Sequence, residues 1–145
     1  MKAKTATILY RVFTLPFAAF MLFGGYAELS HSPEGEAIMR HLGYPLHVLD
    51  VLGVAKLLGA LALLQPWLRT AKEWAYAGFT FNLLGACVAR AAAGDSLMLI
   101  VSPLLFLTWM AFSYLFWKKR QAQRFAAEVP AEGYRAPLRA VVAAG

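Results

Sequence analysis

LHVLDVLGVAKLLGALALL, residues 46–64, decides the fold. As a helix, such an apolar run has the length needed to cross a bilayer core of about 30 Å, which takes roughly 20 residues. It carries two ionisable groups, Asp50 near its start and Lys56 near its middle. Three more runs of this kind surround it. Residues 7–27 are broken only by Arg11, residues 74–93 carry Asn82 and Arg90, and residues 97–117 carry no charge. The whole chain agrees with this reading. Its 145 residues are 60% apolar and 15% charged, against roughly 45–50% and 25% in ordinary soluble domains, and the mean hydropathy is +0.55. A disordered chain is excluded. The single cysteine, Cys87, excludes an internal disulfide, a CxxC redox pair and a Cys-rich metal site.

The connections suit a compact bundle, because short links make neighbouring helices antiparallel. Residues 65–73 and 94–96 are such links. The first loop, residues 28–44, is longer. Ser32 can N-cap, Pro33 suits the first helical position, Glu34 and Glu36 suit the first turn, and Gly43 stops the helix. A short surface helix is predicted over 33–42. Basic residues then set the topology. Lys2, Lys4, Arg11, Arg69, Lys72, Lys118, Lys119, Arg120, Arg124, Arg135 and Arg139 fall on one side, and Arg40 and Arg90 on the other. The expected fold is therefore all-α, an integral membrane four-helix bundle, up-down-up-down, with both termini cytoplasmic. Residues 1–6 form a cytoplasmic N-terminus, 7–117 the membrane domain and 118–145 a flexible basic tail. A cleaved signal peptide is the rival reading of the N-terminus, but the run is long, Arg11 interrupts it and no A-x-A site follows. The net charge of +6 follows from the loops. It points to anionic lipid headgroups, not to nucleic acid.

Ionisable groups inside a span are costly and need a partner or a wet cavity. Lys56 and Asn82 share a depth, each about 12–13 Å from the second loop at 1.5 Å per residue. Lys56 shares a stripe with Gly53 and Ala60, and Asn82 one with Ala75, Gly78 and Ala86. Small residues mark helix–helix contact in membranes, so both polar groups face the interior, and Asn82 Oδ1 is expected to accept from Lys56. An amide does not neutralise an ammonium. Lys56 then either fixes packing through carbonyls and water or meets an anionic or carbonyl ligand, with Phe79, Phe81 and Trp109 as flanking aromatics. Asp50 and Arg90 match in depth and are expected to pair. Arg11 is expected to snorkel, with Glu73 as an alternative partner. His41 and His47 flank a turn, but their spacing supports neither metal nor haem. No GxSxG, P-loop or HExxH occurs. Pro16 and Pro103 are candidate kinks, and Cys87 is expected to pack as a small apolar residue.

GVAKLLGALALL (53–64), KEWAYAGFTFNLLGA (72–86), AAGD (92–95) and the preceding LGYP (42–45) together resemble the DoxX-like family of small bacterial membrane proteins. The resemblance covers roughly residues 7–117. It implies a four-helix bundle in the bacterial cytoplasmic membrane, with Lys56, Glu73 and Asn82 on the family's polar positions. The family pattern places Asp where Asn82 stands and His where Arg90 stands, so a Lys–Asp pair is missing here. The wider family is tied to membrane redox systems, including a thiosulfate:quinone oxidoreductase and stress-response complexes.

The function expected on these grounds is an accessory subunit of a membrane redox or stress-response system, holding a quinone or similar apolar ligand near Lys56, Asn82, Phe79 and Trp109. No catalytic residue and no metal ligand is assigned, and the chain is at most a subunit of a quinone-linked oxidoreductase. Asp50, Arg90, Arg11 and Glu73 are expected to be structural. The lipid bilayer and either a redox enzyme or a second copy of the chain are the expected partners. Two alternatives stand beside this reading: a membrane anchor or assembly factor without ligand, and a small proton or solute transporter.

Overall fold

Ser32 begins a helix for local reasons. Its hydroxyl accepts from the Gly35 amide at 3.2 Å, Pro33 occupies the first position, and Glu34 and Glu36 sit in the positively polarised first turn. Arg40 and His41 close the last turn, and Gly43 leaves it at φ +76°, a left-handed conformation that glycine adopts without strain. This is α2, Pro33–His41, one residue shorter than the helix predicted over 33–42. Four longer helices accompany it in a computed structural model that describes residues 3–128: α1 (Ala3–Leu29), α3 (His47–Leu64), α4 (Arg69–Ala92) and α5 (Leu97–Glu128). Among the described residues the structure is all-helical.

Several boundaries differ from expectation: α1 begins at Ala3 and not at residue 7, and α4 begins at Arg69, inside the expected 65–73 link, and not at residue 74. α1 continues past residue 27 to Leu29, which brings Glu28 into the helix. α5 continues past Trp117 to Glu128, where a flexible tail was expected. The physical reason is that Lys, Arg, Gln and Ala are strong helix formers, and no Gly or Pro intervenes before Pro130. The rest of the expected tail, 129–145, lies outside the described residues, as do Met1 and Lys2. Pro16 and Pro103 lie inside unbroken helices.

The long helices meet in pairs. Tyr10 meets Leu63 and Gly25 meets Gly53, so α1 and α3 run in opposite directions. Thr14 meets Ser113 and Phe20 stacks on Phe106, which sets α5 antiparallel to α1. Tyr76 meets the same Ser113 and Glu73 meets Lys118, setting α4 against α5, while Phe79 of α4 covers Gly59 of α3. The tightest approach is between α1 and α3. A methyl group added at either Gly25 or Gly53 would lie 2.9 Å from the other's carbonyl oxygen, so only glycine permits this backbone contact. Tyr10, Phe17, Ala18, Met21, Ala60, Leu63, Ala75, Tyr76, Phe79, Met110 and Trp117 form the buried core.

The outer surface is apolar. Val12, Phe23, Val51, Leu58, Phe81, Val88 and Leu105 are all exposed, a cost in water and an advantage in lipid. Three helices, α1, α3 and α5, are long and apolar enough to cross a membrane. α4 has the length but carries Lys72, Glu73, Asn82 and Arg90, and it does not meet the same measure of apolarity. The chain is a membrane protein by this composition.

Candidate ligand groove and its buried ion pair

Lys56 does not pair with Asn82. Its ammonium donates to Glu28 Oε1, and the two side chains keep only 20% and 16% of their exposure. The Gly25–Gly53 contact explains why they reach each other. Glu28 and Lys56 each lie three residues beyond that contact, towards opposite ends of antiparallel helices. Side chains on a helix lean towards its N-terminus, so the two lean across the contact towards one another. An ion pair supplies the counter-charge that an amide cannot, which is why it prevails. The second carboxylate oxygen, Glu28 Oε2, is buried without a hydrogen-bond partner among the described residues.

Lys56 also borders a groove of about 520 Å³ between α3 and α4. Leu52, Leu58, Ala75 and Phe79 supply apolar wall, and Asn82 the other polar side chain. No hydrogen bond to the Asn82 carboxamide forms among the described residues. Gly78 lines the groove and has nothing within 4 Å of where a Cβ would sit. At its rim Leu58 and Trp74 are strongly exposed. Such a site, largely apolar with a few convergent polar groups, is the form small-molecule pockets take. Phe79, Lys56 and Asn82 are thus brought together. Trp109, expected beside them, is elsewhere: it packs on Phe17 and Phe106, and its indole N–H donates to the Phe13 carbonyl at 3.1 Å. A buried indole N–H needs such a partner. Phe81 points outward.

The expected Asp50–Arg90 pair is also replaced. Asp50 binds His31 Nε2 at 3.0 Å, and Arg90 donates to Asp95 Oδ2 at 2.9 Å. Each acid finds a nearer cation at its own helix junction. His41 adds a contact to Asp95 of 2.6 Å. The Asp50 carboxylate, with Glu36 beyond it, raises the His31 imidazole above its ordinary range against some desolvation. The hydrogen bond from His41, and then Arg90, holds the Asp95 carboxyl below its own. Glu73 pairs with Lys118 of α5 and not with Arg11. Arg11 is exposed and borders a different cavity.

Between α1, α4 and α5 runs a buried polar chain that the sequence reading did not single out. Thr14 and Ser113 hydroxyls lie 2.6 Å apart, and the Tyr76 hydroxyl is 2.8 Å from the same Ser113. Lys72, only 5% exposed, donates to the Tyr10 hydroxyl at 2.7 Å, and Tyr10 donates to the Leu63 carbonyl at 3.3 Å. Buried hydroxyls are paired because leaving one unpaired is expensive. Among the described residues no cluster of three His, Cys, Asp or Glu side chains could hold a metal ion.

The family model described as the DoxX-like family matches residues 12–113. The chain belongs to the DoxX-like family. The match takes in most of α1, all of α2, α3 and α4, and the first half of α5. It therefore includes both Glu28 and Lys56. No curated protein matches the chain, and no solved structure does. In this DoxX-like chain the signal for Glu28 was present in the sequence: an acid within one turn of Gly25, facing a helix with Gly53 and Lys56. It was obscured by placing the end of the first span at residue 27.

Proposed function

We propose that this DoxX-like protein is a multi-pass four-helix bundle of the bacterial cytoplasmic membrane that holds an apolar, carbonyl-bearing ligand of the quinone class in the α3–α4 groove. Its role is that of an accessory subunit to a membrane redox or stress-response system. The observation that carries the reading is the groove itself. It is apolar, sits at mid-helix and ends on two hydrogen-bond donors, Lys56 and Asn82. α4 is read as a fourth span because one face of its middle, Ala75, Tyr76, Phe79 and Leu83, is buried against its neighbours, Phe81 on another face is exposed and apolar, and Lys72, Glu73 and Arg90 stay near its ends. The basic residues gathered at one end of the helices favour a topology with both termini on the cytoplasmic side.

The residues present fit such a ligand. The Lys56 ammonium, held from behind by Glu28, can donate to a carbonyl oxygen, and the Asn82 amide can donate to a second. Phe79 offers a ring edge or face, held in place by Gly59 beneath it. The volume lies within the roughly 300–1,000 Å³ typical of small-molecule sites. A bound quinone supplies two-electron, two-proton chemistry. The protein contributes orientation, exclusion of water and a proton-holding pair at Lys56 and Glu28. Electron transfer to or from the quinone would run through a partner or a further bound cofactor, since a lone cysteine offers no dithiol couple.

The test is purification in mild detergent followed by extraction and mass spectrometry, on the native chain and on Gly78→Leu. The leucine fills the groove from a position with free space and improves helix propensity. A stoichiometric quinone in the native protein that is lost from a Gly78→Leu protein of unchanged thermal stability supports the reading. Phospholipid alone in both overturns it. The Lys56–Glu28 pair also favours a second reading, a membrane anchor or assembly factor, because an ion pair locking α1 to α3 needs no ligand.

A further inference from the structure

A second cavity, of about 420 Å³, lies at the other polar end of the helices, between the start of α1, the end of α3, the start of α4 and the end of α5. Arg11, Arg69, Lys72, Arg120 and Arg124 all line it, and among the described residues no carboxylate does. Among the described residues none of the five forms a salt bridge. The nearest acid in sequence, Glu73, is held by Lys118. The floor is buried and built. Lys72 is 5% exposed and fixed by the Tyr10 hydroxyl, and its ammonium lies 5.3 Å from the centre of the Tyr10 ring. The Arg120 guanidinium lies 5.5 Å from the same ring centre. Arg120 Nε is buried without a hydrogen-bond partner among the described residues. Arg11, Arg69 and Arg124 form an exposed rim. α4 starts here with Leu68 at its cap position and no side-chain cap, so the positive end of the helix dipole adds to the same region.

Cations brought together without counter-charge repel one another, and burying them raises the cost. The fold tolerates this arrangement best when an anion completes it. Guanidinium groups present forked donors that match phosphate oxygens, and a lysine adds a point charge. We infer that this cavity is a binding site for a phosphate group, carried either by an anionic lipid headgroup or by free phosphate. The site is separate from the α3–α4 groove and does not depend on what the groove holds. A headgroup would reach it from the membrane surface, where basic pockets between spanning helices bind anionic lipids.

The full chain tests this in two arms. In one, native mass spectrometry follows retention of phosphatidylglycerol against phosphatidylcholine. In the other, the thermal midpoint is followed in neutral lipid as inorganic phosphate is added. The Arg69→Gln, Arg120→Gln double variant removes one rim and one floor cation. Lys119→Gln removes an exposed charge of α5 outside the cavity. Arg69→Gln with Arg124→Gln changes exposed positions only and serves if Arg120→Gln impairs folding. Selective retention of phosphatidylglycerol assigns the site to a headgroup, and stabilisation by phosphate alone assigns it to a free anion. In either case the double variant lowers binding roughly thirtyfold, the scale of losing two cations beside an anionic group, and Lys119→Gln leaves it unchanged. If the native chain shows no selective retention and no stabilisation by phosphate, the inference is overturned. Equal losses in the double variant and in Lys119→Gln also overturn it, since they show diffuse surface attraction.

Discussion

Truncating Lys56 to methionine leaves the Glu28 carboxylate without a counter-charge inside the α1–α3 contact. Breaking one side of a mostly buried pair costs about 3 kcal/mol, whereas replacing both partners by apolar groups is close to neutral. Lys56→Met is therefore expected to lose about 3 kcal/mol of stability, and Lys56→Met with Glu28→Met to recover most of it. Denaturant unfolding of the two proteins in the same detergent checks this. A double variant as unstable as the single would show that the pair is not the interaction that matters. Ser113→Ala is a second case. It strands the Thr14 and Tyr76 hydroxyls in the core, and a loss of about 1–3 kcal/mol is expected by the same unfolding measurement. At this scale the sequence showed where Lys56 and Asn82 lie in depth, and small residues pointed their helices inward. It did not show partners. Lys56 and Arg90 reach Glu28 and Asp95 through long side chains, and a few ångströms of reach decide the outcome, which periodicity does not resolve.

Elements were legible where backbone chemistry is local. Ser32, Pro33 and Gly43 delimit α2 almost to the residue. The end of α5 was not, because nothing in residues 118–128 favours coil strongly enough to identify a stop. The glycine contact between α1 and α3 governs their spacing. Gly53→Ala would place its methyl 2.7 Å from a Leu29 side-chain carbon and 2.9 Å from the Gly25 carbonyl oxygen. The helices must separate, and a destabilisation of about 1–3 kcal/mol is expected, checked by the thermal midpoint. Two helix junctions should respond to pH in opposite directions. His31 titrates above its ordinary value of 6.5, so its contribution is full below that value and fades as pH rises through the raised one. Asp95 titrates below 3.8, so its contribution is present above that value and fades as pH falls through the lowered one. Hydrogen exchange should accordingly show the α1–α2 turn loosening on the alkaline side and the α4–α5 turn in acid. His31→Asn should abolish the first response, since asparagine tolerates the φ of +50° at this position without offering a charge.

For the whole molecule, the DoxX-like assignment and the apolar exterior agree on a membrane protein, and the proposed orientation rests on the charge distribution. A cysteine-free background, Cys87→Ala, allows a direct check. Glu34→Cys should react with an impermeant maleimide in intact spheroplasts, and Lys119→Cys only after permeabilisation. The reverse pattern would invert the topology. α5 is about 48 Å long as 32 residues of helix, well beyond a bilayer core of about 30 Å, so with α5 as a span its basic end would extend past the hydrocarbon. Hydropathy foresaw this division between apolar span and charged end. It did not foresee the cationic cavity, because residues 11, 69, 72, 120 and 124 are far apart along the chain and meet only after the helices pack.

Leu58 and Trp74 at the rim of the α3–α4 groove are exposed, and with α3 and α4 as spanning helices this rim would open sideways into the lipid. For any guest that enters there, the relevant concentration is a mole fraction among lipids, not a molarity in water. Occupancy then follows the make-up of the membrane: diluting a suspension tenfold leaves the groove as full as before, while fusing in ligand-free vesicles empties it.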